Sequence, residues 1–172
     1  MANRGAQKGF TLLELTISLL VMVIMYGVLS TRLANVAESA ERAAVYGMLG
    51  QIRQQVNLRL AKFYIEGAPG KARALINENP FSWISPPSKQ YAGEIDDASE
   101  GLIEGQWYFG RSAEQLICGV QRNNKLKIEG KQQRNLRFVL KLNGNAADDQ
   151  RKRAAYSIKI QPVRPFVWDI ET

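Results

Sequence analysis

The chain has 172 residues, about one domain's worth, and a formal net charge of +7 from 23 basic and 16 acidic residues. It contains no histidine and a single cysteine, Cys118, which excludes an intramolecular disulfide, a CxxC redox pair and a cysteine-rich zinc site. Few reaction classes remain, and neither a nucleotide-binding loop nor a nucleophile elbow is recognised. We therefore expect no enzymatic activity, no cofactor and no bound metal.

The N-terminal part of the chain contains a long apolar segment. Residues 10–30 carry a single charge, Glu14, and a helix of that length spans roughly 31 Å, close to the hydrocarbon core of a bilayer. Arg4 and Lys8 precede the segment, which favours a cytoplasmic N-terminus and an exported C-terminal domain. The segment is consistent with a cleaved signal peptide, a permanent membrane anchor or a prepilin leader, although ordinary signal peptides have shorter apolar regions of about 7–15 residues.

Glu14 is the informative residue of this segment. A carboxylate inside a membrane helix costs roughly 2.5–3.5 kcal/mol at the bilayer centre, and less near the edge, so it usually has a partner. Cleavage between Gly9 and Phe10 would create an amine at Phe10, one helical turn from Glu14. In a filament, the carboxylate could instead neutralise the amine of a neighbouring subunit. The alternative is a glutamate at the membrane edge that reaches water.

The sequence Lys8-Gly9-Phe10-Thr11-Leu12-Leu13-Glu14-Leu15 closely resembles the prepilin processing motif of type IV pilins and type II secretion pseudopilins. The resemblance implies that Gly9 is the last leader residue recognised by the prepilin peptidase. It implies that Phe10 is the first mature residue, whose amine is N-methylated, and that Glu14 is the fifth-position glutamate required for assembly. Arg4 and Lys8 correspond to the leader charge. Residues 1–9 are thus expected to be a leader peptide.

The resemblance also implies partners and a location. The partners are other pilin or pseudopilin subunits, contacted through the N-terminal helix, the prepilin peptidase and an inner-membrane assembly platform. The precursor would span the bacterial inner membrane once, with its C-terminal domain in the periplasm, before entering a pilus or periplasmic pseudopilus. Thr31 stands where many major pilins carry a helix-kinking proline, and Cys118 has no second cysteine to close a loop. Both departures favour a minor pilin, or alternatively a minor pseudopilin of type II secretion.

Helical periodicity continues beyond the membrane segment. No proline interrupts residues 10–63, and residues 31–63 show apolar side chains at spacings of three or four, with charged residues between them. We expect residues 10–30 and residues 31–63 to be two halves of one helix, the second packed on a small domain; the alternative is a membrane-proximal coiled coil. The expected stripe consists of Leu33, Ala37, Ala40, Ala44, Met48, Ile52, Val56 and Leu60.

The remainder of the chain changes character at about residue 106. Residues 64–105 contain several proline and glycine turn signals and are predicted to be a connecting loop region. Residues 106–172 show period-two alternation and are predicted to form an antiparallel sheet with one apolar face on the helix. Cys118 falls in one of these strands and is expected to be buried. The predicted fold class is α+β and pilin-like.

Two charged regions are candidate binding sites. Residues 94–104 form an acidic run that contains Glu94, Asp96, Asp97, Glu100 and Glu104. These residues lack the spacing of a calcium loop, which favours a solvated loop over a metal site. Residues 122–164 hold twelve basic and three acidic residues, and Arg151, Lys152 and Arg153 form a possible anion-binding patch. Its ligand would be DNA, lipopolysaccharide or an acidic neighbouring subunit; the alternative is the solvated outer face of the sheet. A platform for single-stranded nucleic acid is not favoured, because few aromatic residues are interleaved with these basic residues.

Overall fold

The computed structural model describes residues 10–96, 101–129, 134–144 and 156–169. A long apolar N-terminal helix is followed by a small, mostly antiparallel sheet that packs on it, which confirms the predicted α+β class. The elements are helix α1 (Leu12–Ile65), the 3₁₀ helices η1 (Pro69–Ile76) and η2 (Pro80–Trp83), and strands β1 (Tyr91–Ile95), β2 (Trp107–Gly110), β3 (Gln115–Gly119), β4 (Leu126–Ile128), β5 (Asn135–Gly144), β6 (Tyr156–Pro162) and β7 (Phe166–Trp168).

The chain divides into two compact units, residues 1–37 and residues 38–172. In the first unit, the described residues belong almost entirely to the beginning of α1. The second unit contains the remainder of α1 and all the strands, and we call it the head.

Within the head, α1 buries one face against the sheet. Val45, Met48, Leu49, Ile52, Val56 and Leu60 are buried there. The predicted stripe is therefore confirmed from Met48 onward. It is wrong nearer the N-terminus, where Leu33 and Ala40 are exposed and Ala37 and Ala44 are only half-buried. The buried positions there are Glu38 and Val45, each one residue later than expected, which corresponds to a rotation of the buried face by about 100°.

Two glutamates on α1 fix the loop between β3 and β4 to the helix. Glu38 is only 2% exposed, and its Oε1 accepts hydrogen bonds from the backbone N of Lys125 at 2.9 Å and from Nε1 of Trp168 at 3.1 Å. One turn later, the carboxylate of Glu41 accepts from the backbone N atoms of Gln121 and Arg122 at 2.6 and 2.9 Å. Charge-assisted hydrogen bonds of this kind are stronger than neutral ones. The two carboxylates therefore hold backbone that is in neither helix nor sheet.

The main sheet has five strands in the order β1-β2-β3-β5-β6. The β2–β3, β3–β5 and β5–β6 pairs are antiparallel, as predicted. Two details differ from the predicted antiparallel meander. Strand β1 pairs with β2 in parallel, and β4 leaves the meander to pair with β7 in a separate two-stranded sheet. The second difference brings Trp168 of β7 to Glu38, a contact between residues far apart in sequence that strand periodicity does not encode.

The region predicted to be a connecting loop, residues 64–105, contributes to the core. Helix α1 ends in a Schellman motif, in which Gly67 adopts a positive φ of 70° and the backbone N of Ala68 bonds to the carbonyl of Phe63 at 2.9 Å. Pro69 then opens η1. The region also supplies η2, β1 and several buried apolar side chains, namely Ala72, Leu75, Phe81 and Trp83.

Candidate functional site

The N-terminal segment begins with a capped helix. Helix α1 starts at Leu12, and the hydroxyl oxygen of Thr11 accepts a hydrogen bond from the backbone N of Glu14 at 3.2 Å. This is the N-cap interaction, with a glutamate at the third helical position as in a capping box. Thr-x-x-Glu is the sequence signal that could have located this helix start.

The surface of this segment is apolar and unburied. The helix is long and apolar enough to cross a membrane, and none of its most apolar 18-residue window is buried. Its hydroxyl side chains bond to the helix backbone: Thr16 donates to the carbonyl of Leu13 at 2.8 Å, Ser30 to that of Tyr26 at 2.7 Å and Thr31 to that of Val28 at 2.9 Å. Such internal bonds remove the cost of placing hydroxyls in lipid. A contiguous exposed apolar surface of this kind is typical of a site that contacts a membrane or another protein.

Glu14 lies in the first turn of α1, where unpaired backbone N–H groups and the helix dipole favour a carboxylate. The structure thus shows a local role for this residue, as a helix-start carboxylate, alongside the assembly role implied by the resemblance. Phe10, the expected first mature residue, precedes the helix and is 77% exposed. Arg4, Lys8 and Gly9 lie outside the described residues, and so the cleavage and leader-charge predictions remain predictions.

The acidic run near β1 is paired with arginines where it is described. Arg111 lies 3.2 Å from a carboxylate oxygen of Glu94 and 3.4 Å from one of Asp96. Arg134 lies 3.3 Å from the carboxylate of Glu104. Among the described residues, no group of three possible metal ligands is found, while Asp97 and Glu100 of the run are not described.

Arg151, Lys152 and Arg153, the predicted anion-binding patch, lie outside the described residues, so this prediction remains open. Two other arginines of the basic region come together instead. Arg137 and Arg164 line a cleft of about 90 Å³ in the head, with Gln115 and Asn135 as further polar neighbours. Sequence analysis missed this cleft because Gln115, Arg137 and Arg164 lie on separate elements with no shared motif.

Cys118 is buried in β3 with a free thiol, as predicted. Burial raises the pKa of this thiol to about 12, which leaves almost no thiolate at neutral pH. Cys118 is therefore a core residue, and the geometry provides no nucleophile at this position.

A scan against protein-family models finds no matching family, and comparisons with curated proteins and with solved structures find no match either. The function of the chain is therefore inferred from its own residues and from the N-terminal resemblance.

Proposed function

We propose that the chain is a minor pilin-like structural subunit, which a prepilin peptidase processes between Gly9 and Phe10 and which then enters or primes a type IV pilus. In this role it is not an enzyme. It acts through contacts with other subunits, the peptidase and an inner-membrane assembly platform. The precursor resides in the bacterial inner membrane with its head in the periplasm.

One observation carries the proposal: a single helix, α1, has two halves with opposite surfaces. In the head, α1 buries an apolar face against the sheet. In the first unit, the same helix exposes apolar side chains on every side. An apolar surface all round a helix is typical of a membrane span or of a helix enclosed by other helices. A subunit that moves from a membrane into a filament core needs a helix suited to both environments.

The start of α1 supports the proposal further. Glu14 is the only charged residue from Phe10 to Ser30, and it lies where the helix begins rather than at the middle of the span. Near the membrane edge its cost is small before assembly. In a filament, the amine of a neighbouring Phe10 would neutralise it in an apolar surrounding, where such a pair is much stronger than in water.

The alternative within the same superfamily is a minor pseudopilin of a type II secretion system, because both classes share the N-terminal motif. A pilus-associated adhesin or DNA-binding subunit is a further alternative, supported by the twelve basic and three acidic residues of the 122–164 region. It predicts that charge reversal of Arg151, Lys152 and Arg153 abolishes binding but leaves assembly intact.

Glu14→Gln tests the proposal, because it separates the charge of Glu14 from its capping role. A glutamine at the third helical position still serves a capping box, but it cannot neutralise an amine. We expect the variant to reach the membrane at the wild-type level and to be lost from the sheared fibre or pseudopilus fraction of a strain with an active assembly system. Glu66→Gln is the matched control, because it makes the same change at an exposed glutamate just after α1. This variant should assemble normally. Normal incorporation of Glu14→Gln would contradict the proposal.

A further inference from the structure

The cleft lined by Arg137 and Arg164 lies where the two sheets of the head meet. Gln115 of β3, and Asn135, Leu136 and Arg137 of β5, come from the five-stranded sheet. Ile128 comes from β4, and Val163 and Arg164 from the connection between β6 and β7. The β3–β5 register pairs Gln115 with Val139, Ile117 with Arg137 and Gly119 with Asn135. Because side chains alternate along a strand, the three polar residues share one face of the sheet.

Three polar atoms in this cleft are buried and without a partner. Among the described residues, Oε1 of Gln115, Oδ1 of Asn135 and Nε of Arg137 are the buried side-chain polar atoms that make no hydrogen bond. All three belong to residues that line the cleft. A buried polar atom without a partner is costly, and native proteins leave few of them. All three lie around one cleft, which makes this cleft the strongest candidate binding site among the described residues of the head.

The charge of the cleft is positive. No described carboxylate lies within ion-pair distance of Arg137 or Arg164. Residues 130–133, which connect β4 to β5 and are not described, have the sequence Gly-Lys-Gln-Gln and contain no acid. A guanidinium group matches the planar, two-oxygen geometry of a carboxylate. The unpaired atoms of Gln115 and Asn135 are oxygens, which accept hydrogen bonds. These two amides contribute to carboxylate binding only when they rotate by 180° and present their N–H₂ donors.

The size of the cleft and its apolar lining residues restrict the class of ligand further. A cleft of about 90 Å³ is small beside the roughly 300–1,000 Å³ of pockets for drug-sized ligands, which favours a small group. Ile128 and Val163 supply apolar side chains beside the arginines, whereas Leu136 alternates onto the opposite, core face of β5. A carboxylate on a short alkyl chain fits both features, whereas a phosphate would leave the apolar walls unused.

We propose that this cleft binds a carboxylate carried on a short alkyl chain. The same chemistry occurs in free short-chain acids and in the glutamate side chain of a second copy of this chain. The site is independent of the proposed pilin function, because it lies in the head and uses no residue of the N-terminal segment.

The test uses the full chain in zwitterionic detergent, with sodium propionate as the probe and sodium chloride at equal ionic strength as the reference. A ligand that binds only the folded state raises the melting temperature in a concentration-dependent way. We expect propionate to raise it, acetate to raise it less and phosphate to have the smallest effect. Arg137→Gln should weaken propionate binding by about tenfold or more, since it removes a charge-assisted hydrogen bond. Arg73→Gln, an exposed arginine on η1, is the charge-matched control and should bind as the wild type does.

A second variant keeps the test valid if Arg137→Gln folds poorly. Gln115→Leu removes one unpaired amide oxygen and should raise the melting temperature without ligand while reducing the propionate shift. Sedimentation without ligand separates the two sources: self-association that Arg137→Gln abolishes identifies a second copy, and a monomer that binds propionate identifies a free acid. A monomer with no propionate shift at 100 mM, or a larger shift with phosphate, would overturn the proposal.

Discussion

Glu38→Ala is expected to lower the stability of the head more than other substitutions of similar size. It removes an acceptor that serves both the backbone N of Lys125 and Nε1 of Trp168, at a site where Glu38 is 2% exposed. Each buried donor that loses its partner costs about 1–3 kcal/mol, so the loss of two partners should lower the free energy of unfolding by roughly 2–6 kcal/mol. Glu38→Gln keeps an acceptor oxygen and loses only the charge, and it should cost about 1 kcal/mol.

The assay is urea unfolding of the full chain in detergent, followed by tryptophan fluorescence. All three tryptophans lie in the head and are buried there, so the signal reports on that unit. Glu66→Ala is the control, because its ion pair with Lys62 is long, at 3.8 Å, and exposed; such pairs contribute at most about 0.5 kcal/mol. If Glu38→Ala costs no more than Glu66→Ala, the carboxylate does not hold the loop and the reasoning fails.

Further predictions concern two glycines and the cysteine. Gly119→Ala should destabilise the head by about 1–3 kcal/mol, because a Cβ there would lie 2.6 Å from the carbonyl oxygen of Ile103. Gly47→Ala, on an open and exposed face of α1, should instead stabilise by up to about 1 kcal/mol; urea unfolding measures both, and equal effects would contradict the close approach. Cys118 should react with a thiol reagent at pH 8 only after unfolding, since a rise in pKa from 9.0 to about 12 reduces the thiolate roughly a thousandfold; rapid labelling of the native protein would refute this. Because folding raises that pKa, the thiol should lower the free energy of unfolding as the pH rises above about 9, and Cys118→Val should show a flatter dependence.

Much of the fold could be predicted from periodicity alone. The long helix follows from an apolar run and a stripe with no proline between them, and β5 and β6 follow from alternation. Local sequence patterns do not predict burial where it depends on residues that are distant in sequence. From the sequence alone, Glu38 is expected to lie on the surface. No neighbouring residue in the sequence indicates that Lys125 and Trp168 will supply hydrogen-bond donors to it.

The candidate sites divide in the same way. Glu14 stands out in the sequence as a lone charge in an apolar run, and a short motif surrounds it. The cleft around Arg137 does not stand out, because Gln115 and Arg164 reach it from other elements. Strand β1 was also not predicted. It lies among turn residues, and its parallel pairing with β2 depends on the course of the connection between the two strands, which periodicity does not encode.

The central claim is that the chain is a processed prepilin. The most direct test is the intact mass and N-terminal chemistry of the protein purified from its native membranes. Processing by a prepilin peptidase predicts a chain that begins at Phe10, shortened by the nine residues Met1–Gly9 and carrying a methylated amine. A chain that still begins at Met1 in cells with an active prepilin peptidase would contradict it, and the protein would then be a membrane-anchored domain with an unprocessed N-terminus.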